Sequence, residues 1–309
     1  MNLESFCHSL PKVELHAHLN GSLSPTTLKK LYKMQHPNAE DCEDILCHLF
    51  DVAHSVTVTS EAVFQAAYDV VKEFKEDNVI YLELRSTPQT VQFCNSRRLC
   101  NCRTCKTDFP DMLVKLLVSV NRKQGYKAAQ ENIELAIRFS KEYPEYIVGL
   151  DLSGDPKTGD AFLELLKKAR TAGLKIAAHC AEIPNEVETV DILEFKPDRL
   201  GHCTCIHPNL QGSQRLFKLC LTSNVQCKTV PSYGCHQFKY LYEAEHPVCL
   251  TDDKGVFHTS LSREYEIAGT TFDLGREELV KLCVASLLSP TCRASNNVCQ
   301  SRVSQSDRK

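Results

Sequence analysis

The run VELHAHL (13–19) decides how this chain is read. It is short, almost continuously apolar and β-branched at its start. It ends in two histidines, His16 and His18, two residues apart. An apolar run of that length has the pattern of a parallel strand buried on both faces. Seven more runs share the design: VIYLELRST (79–87), LVKLLVSVNR (113–122), YIVGLDLSG (146–154), LKIAAHCAE (174–182), RLGHC (199–203), LFKLCLTSN (216–224) and VCLTDDKG (248–255). Amphipathic stretches at 24–36, 60–77, 126–142, 158–172 and 185–195 separate several of them, and two more follow at 261–272 and 275–288. Eight strands alternating with helices predict an α/β fold, the (β/α)8 TIM barrel.

The ends of the runs strengthen that expectation. His16 and His18, Ser86 and Thr87, Asn121, Asp151 and Asp155, His179 and Glu182, His202, Asn224, Asp252 and Asp253 all fall at or just beyond a strand's C-terminal end. In a barrel of this kind the active site is built at that rim from groups supplied by several strands. Repeats and low-complexity segments are absent, so a single domain over 1–289 is expected, with an atypical cysteine-rich insert at 90–111 and a polar, disordered tail at 290–309. The crossover at 206–215 is short for a connection between parallel strands.

Composition narrows the class. A net charge of −3 over 309 residues lacks the basic excess of a nucleic-acid binder. No apolar run reaches the roughly 20 residues a membrane helix needs, and the first residues do not form a secretory signal. The chain reads as soluble and cytoplasmic, without nucleic-acid or membrane partners, and as a monomer. Its 17 cysteines mostly sit in apolar runs, where a thiol behaves as a small hydrophobe, so they read as reduced. Cys94, Cys100, Cys102 and Cys105 contain one C-x2-C without the second pair that a structural zinc site needs.

Residues two apart on a strand point to the same side, so His16 and His18 both face the barrel interior. A hydrogen-bonded pair of core histidines is the plainer reading of that motif alone. With His179 and Asp252 at the same rim, the set becomes three imidazoles and a carboxylate with one position left for water, the pattern of a catalytic zinc site. His202 and Asp252 are candidates to orient that water or take its proton. Glu182 follows His179 by three and falls on the loop beyond the strand, where a carboxyl kept protonated by burial can act as a general acid.

ELHAHLNGS, LELRSTP, GLDLSGDP, HCAEIPNE, LGHCT, LCLTSN, TVPSY and TDDKGVF, in this order, resemble the adenosine deaminase superfamily. The similarity is strongest to its adenosine-deaminase-like branch, the N6-methyl-AMP deaminases, and runs from about residue 9 to 285. Asn20, the LRSTP loop and the TDDKG ending are branch markers. The resemblance implies one zinc ion per chain on His16, His18, His179 and Asp252, with His18 also facing the substrate. It implies Glu182 as proton donor to purine N1 and His202 beside the attacking water. Asp253 and Gly154 correspond to purine contacts, and Asn20, His54, Ser86, Thr87 and Pro88 to positions that hold ribose and phosphate. The implied reaction is water attack at purine C6 with loss of the 6-amino substituent, methylamine leaving from N6-methyl-AMP to give IMP. Gln89 stands where the family loop usually carries arginine, a bidentate phosphate partner. Asn121 stands where relatives often carry aspartate. Two other readings stay open at this point, an adenosine or adenine deaminase and a catalytically silent barrel.

Overall fold

The computed structural model describes residues 1–37, 49–88, 107–206 and 216–287. Gln89, the four clustered cysteines, most of the insert, most of the short crossover and the C-terminal tail lie outside the described residues.

Eight parallel strands form one sheet in chain order: β1 (Lys12–Glu14), β2 (Val79–Ser86), β3 (Leu113–Asn121), β4 (Ile147–Ser153), β5 (Lys175–Cys180), β6 (Arg199–His202), β7 (Leu216–Leu219) and β8 (Val248–Leu250). The sheet curls into a nearly closed barrel. Side chains cross the remaining seam, where the β1 residue Glu14 accepts hydrogen bonds from Thr251 Oγ1 and, at 3.4 Å, from Asp252 N. The (β/α)8 expectation is met.

Helices cover the outside. In order they are α1 (Leu3–Ser9), α2 (Pro25–Gln35), α3 (Leu49–Val56), α4 (Ser60–Glu76), α5 (Gly125–Glu142), α6 (Leu163–Thr171), α7 (Glu186–Phe195), α8 (Leu221–Gln226), α9 (Phe238–Glu243), α10 (Leu261–Phe272) and α11 (Arg276–Leu287). Their placement follows from caps and apolar stripes. Ser24 and Thr59 accept hydrogen bonds from Thr27 N and Ala62 N to start α2 and α4. Along α4, Ala62, Val63, Ala66, Val70, Val71 and Phe74 form one buried stripe at helical spacing. Helix α11 packs across β8 and β1 and covers the seam.

Several boundaries differ from the sequence expectation. The run 216–224 is a strand only to Leu219, and helix α8 follows. Buried Glu264 directs that switch: its Oε2 accepts from Leu221 N (2.9 Å) and Thr222 N (3.2 Å), placing a carboxylate where a helix N-terminus favours one. β1 leaves the ladder after Glu14, whose own Oε1 accepts from His16 N at 2.5 Å. A single bridge between His18 and Arg85 re-attaches the chain. β8 stops at Leu250, and α6 starts at Leu163 rather than 158, behind Phe162 in the left-handed region (φ 49°). Helices α1, α3, α8 and α9 were not expected.

The barrel interior is more charged than apolar strands suggest. Arg85 pairs with Asp151 and Arg199 with Glu83, and all four side chains are buried. Lys218 is fully buried too, and burial, with Arg85 and Arg199 nearby, lowers its ammonium pKa to about 7. Every cysteine among the described residues is a free thiol. Among the described residues, no helix is long and apolar enough to cross a membrane.

Candidate active site

The C-terminal ends of the strands open into a cavity of about 770 Å³, within the range that holds small-molecule ligands. It is lined by His16, His18, Asn20, His54, Ser86, Thr87, Asn121, Gly154, His179, Glu182, His202, Asp252 and Asp253, among others. Nearly all the residues singled out in the sequence therefore meet in one place. Pro88 is buried beside β2 without lining the cavity, and Gln89 lies outside the described residues.

His179 Nδ1 donates to the Leu152 carbonyl at 2.7 Å. That bond leaves Nε2 as a bare lone pair, and it faces His16 Nε2 at 2.9 Å. Burial depresses both rings, His179 to about 4 and His16 well below the usual histidine value, so both are neutral at neutral pH. His16 Nδ1 is buried without a hydrogen-bond partner. His18 donates from Nδ1 to Asp253 Oδ2 (3.1 Å), while its Nε2 faces Asp151 Oδ2 (3.3 Å). Burial pulls the His18 pKa down, but the two carboxylates outweigh it and lift it to about 9. Only His18, set between the two carboxylates, is drawn toward the protonated form, whereas His16 and His179 are held neutral. Two overlapping donor groups result, His16–His179–His202 and His18–Asp151–His179, each with its donor atoms within 4.8 Å of one another. Imidazole and carboxylate donors on one open rim fit a zinc-type ion, with the Leu152 carbonyl and Asp253 orienting the ligands from behind.

Asp252 lines the cavity but joins neither donor group. Its oxygens accept from Ser223 N (2.9 Å) and Asp253 N (2.8 Å), and each keeps a further lone pair. Asp253, expected on the purine, is bound to the His18 backbone N (2.6 Å) and ring. Glu182 lies on the loop after β5, where burial raises its carboxyl pKa, and its Oε2 is 3.9 Å from His202 Nε2. Asn20 Nδ2 contacts His54 Nδ1 (3.0 Å) and Thr57 Oγ1 (3.1 Å), tying the loop after β1 to α3. Gly154 adopts φ +100°, and a Cβ there would sit 2.4 Å from Asn121 Oδ1, so this corner needs glycine.

The structure adds groups the motif reading did not assign. Asp151 touches His18 and His179 and is held by Arg85, which also reaches the Leu15 carbonyl. Burial opposes ionisation of Asp151, yet Arg85 and the two histidines keep its carboxyl well below the usual range. Asn224, Ser223 and Lys123 also line the cavity. For Asp151 and Arg85 the signal lay in the strands themselves: an ionisable residue inside a doubly buried apolar run, as in GLDLS or LELRS, needs a partner across the barrel.

The adenosine deaminase family profile matches residues 11–299. The N6-methyl-AMP deaminase of Danio rerio is 42% identical over 305 residues, covering 88% of this chain and 88% of the relative. The crystal structure of Arabidopsis N6-mAMP deaminase superposes with a TM-score of 0.86 at 32% identity, covering 99% of this chain and 100% of that one. Arabidopsis ADAL complexed with IMP gives a TM-score of 0.83 at 32% identity over 96% of each chain. The profile spans every histidine and carboxylate of the cavity just described, and the chain belongs to the adenosine deaminase family.

Proposed function

We propose that this chain hydrolyses N6-methyl-AMP to IMP and methylamine with one zinc ion, held by His16, His18, His179 and Asp252. The observation that carries the reading is the gathering of imidazole nitrogens, those of His16 and His179 neutral, and a carboxyl of raised pKa, Glu182, at one end of a nucleotide-sized cavity. Relatives with the N6-methyl-AMP deaminase name, and a related chain with IMP bound, support this substrate class. Bound zinc supplies a Lewis acid that makes water nucleophilic near neutral pH.

The chain's own residues perform the remaining work. Glu182, kept protonated by burial, gives its proton to purine N1 as water oxygen bonds to C6. His202 sits beside Glu182 and holds the water on the C6 face. The C6–N6 bond then breaks; one water proton leaves on methylamine and the other returns to Glu182, so IMP keeps the water oxygen and the N1 proton and the acid is restored. Asp253 steadies His18 and presents a carboxylate to the purine. Asn20, His54, Ser86 and Thr87 line the side of the cavity that takes ribose and phosphate.

Ultraviolet absorbance tests the reading directly, with N6-methyl-AMP and adenosine supplied separately to the purified chain. Turnover of N6-methyl-AMP and not of adenosine is expected. Turnover of adenosine alone would replace the substrate assignment, and inactivity on both with metal bound would reject the enzymatic reading.

A further inference from the structure

Two buried side chains with no assigned part, His236 and Asn224, lie behind His202. We infer that they fix the proton of His202 on Nε2 and so make it a hydrogen-bond donor beside the metal site rather than a ligand. The catalytic consequence rests on the function proposed above; the tautomer does not.

The direction of each bond follows from its neighbour. Phe238 N lies 3.0 Å from His236 Nδ1. A backbone N–H only donates, so Nδ1 carries no hydrogen. Burial lowers the His236 pKa to about 3, so the ring is neutral and its proton is on Nε2. That atom is 3.0 Å from Asn224 Oδ1. The amide is oriented independently from its other side. Thr229 spends its single hydroxyl hydrogen on the Asn224 carbonyl (3.0 Å) and so must accept from Asn224 Nδ2 (3.1 Å). The second Nδ2 hydrogen points to His202 Nδ1 at 3.3 Å. His202 Nδ1 is therefore an acceptor, and the neutral ring carries its proton on Nε2, the atom turned to Glu182.

The backbone of His202 is clamped from the same segment. Gln237 Nε2 donates to the His202 carbonyl at 2.8 Å. His202 itself has φ +59°, a conformation that persists for such a residue only where its surroundings impose it. With Nδ1 engaged and Nε2 protonated, neither ring nitrogen offers a lone pair to a metal. His16, His18 and His179 remain as the imidazole ligands. His202 Nε2–H can instead donate to the oxygen of the attacking water and hold a lone pair toward C6. His236 and Asn224 are positioning residues for that contact.

Long-range proton–nitrogen NMR of histidine-labelled, metal-loaded full-length protein reads the tautomer, with His202 assigned by its loss in His202→Gln. The wild type should show the Nε2–H pattern. Asn224→Asp keeps the shape but replaces the donating NH2 by an acceptor, so the proton should move to Nδ1. In that variant kcat on N6-methyl-AMP should fall about 10–100-fold, the loss typical when a partner that orients an active-site histidine is removed, with KM changed less than about threefold. An Nδ1–H pattern in the wild type, or an unchanged pattern in Asn224→Asp, would overturn the inference. If Asn224→Asp does not fold, the wild-type spectrum alone decides. A wild type that shows Nε2–H but does not turn over N6-methyl-AMP supports the tautomer and overturns the substrate reading.

Discussion

Gly201→Ala gives a stringent test of the proposed metal centre because it leaves the chemistry of every proposed ligand unaltered. Gly201 lies on β6 in register with His179, against the ring of His16. An alanine Cβ there would be 2.8 Å from His16 Cε1 and 3.3 Å from Nδ1. Ordinary contact begins at 3.4 Å, so restoring it moves the ring by about 0.6 Å, the difference between 3.4 and 2.8 Å. The imidazole has little room to do so, with the His179 and His202 ring centroids 4.5 and 4.9 Å away. Metal–nitrogen distances hold to about 0.2 Å, so the shift exceeds the tolerance of a ligand about threefold. Metal affinity should fall by about 10–100-fold, or about 1.4–2.8 kcal/mol. Competition with a chromophoric chelator measures this, and circular dichroism checks that the variant is folded. A folded variant with wild-type metal affinity would show that His16 is not a ligand in the geometry described.

Glu182→Gln removes the proposed proton donor and keeps the side-chain shape, so kcat should fall by about 10²–10⁴ with metal content unchanged; retained turnover would refute the acid role. Arg85→Met strands the buried Asp151 charge and should cost about 3–5 kcal/mol in denaturant unfolding, together with weaker metal binding because Asp151 touches His18 and His179. Arg199→Met strands Glu83 at a similar cost of about 3–5 kcal/mol but should leave metal affinity at the wild-type level; equal effects on affinity would refute the separation of the two pairs. Burial lifts the Glu14 carboxyl to about 7 against the hydrogen bonds from Thr251 and His16 N. The folded chain then holds this proton more tightly than the unfolded one. Stability from this group is therefore full below about pH 4.5 and falls as pH rises to about 7, by up to about 3 kcal/mol. Glu14→Gln should abolish that loss, and a pH-independent difference between wild type and variant over pH 5–7 would contradict it.

The eight strands were legible because doubly buried parallel strands write themselves as apolar runs, and their polar ends marked the rim. The motifs around His16, His179, Glu182, His202 and Asp252 lead to residues that line one cavity at one end of the barrel. Strand ends were overextended for a local reason. LCLTSN has strand composition, but a carboxylate more than forty positions away, Glu264, caps it as a helix. No local pattern contains that contact. The same holds for Asp253, whose attachment to His18 joins residues 235 positions apart. His236 sits in a loop with no strand or motif to flag it, and its bond to Asn224 exists only once α8 and the turn before α9 are folded together.

The charged interior explains why stability and chemistry are joined in this barrel. Arg85 is the link: one guanidinium reaches the Leu15 carbonyl beyond β1 and the Asp151 carboxylate on β4. Asp151 in turn meets His18 and His179, so four strand ends converge on a single buried cation. Removing water from such a pair is costly, and the geometry must be well satisfied for it to persist. That requirement holds the imidazoles to one arrangement, because any movement of β1, β4 or β5 at the rim would expose or strand a charge. The Glu83–Arg199 pair, two residues earlier on β2, spans β2 and β6. It can fix barrel shape while leaving the site's electrostatics to Arg85. The order along LELR therefore carries two functions: Glu83 sets the frame, and Arg85 sets the charge on which the histidines are arranged.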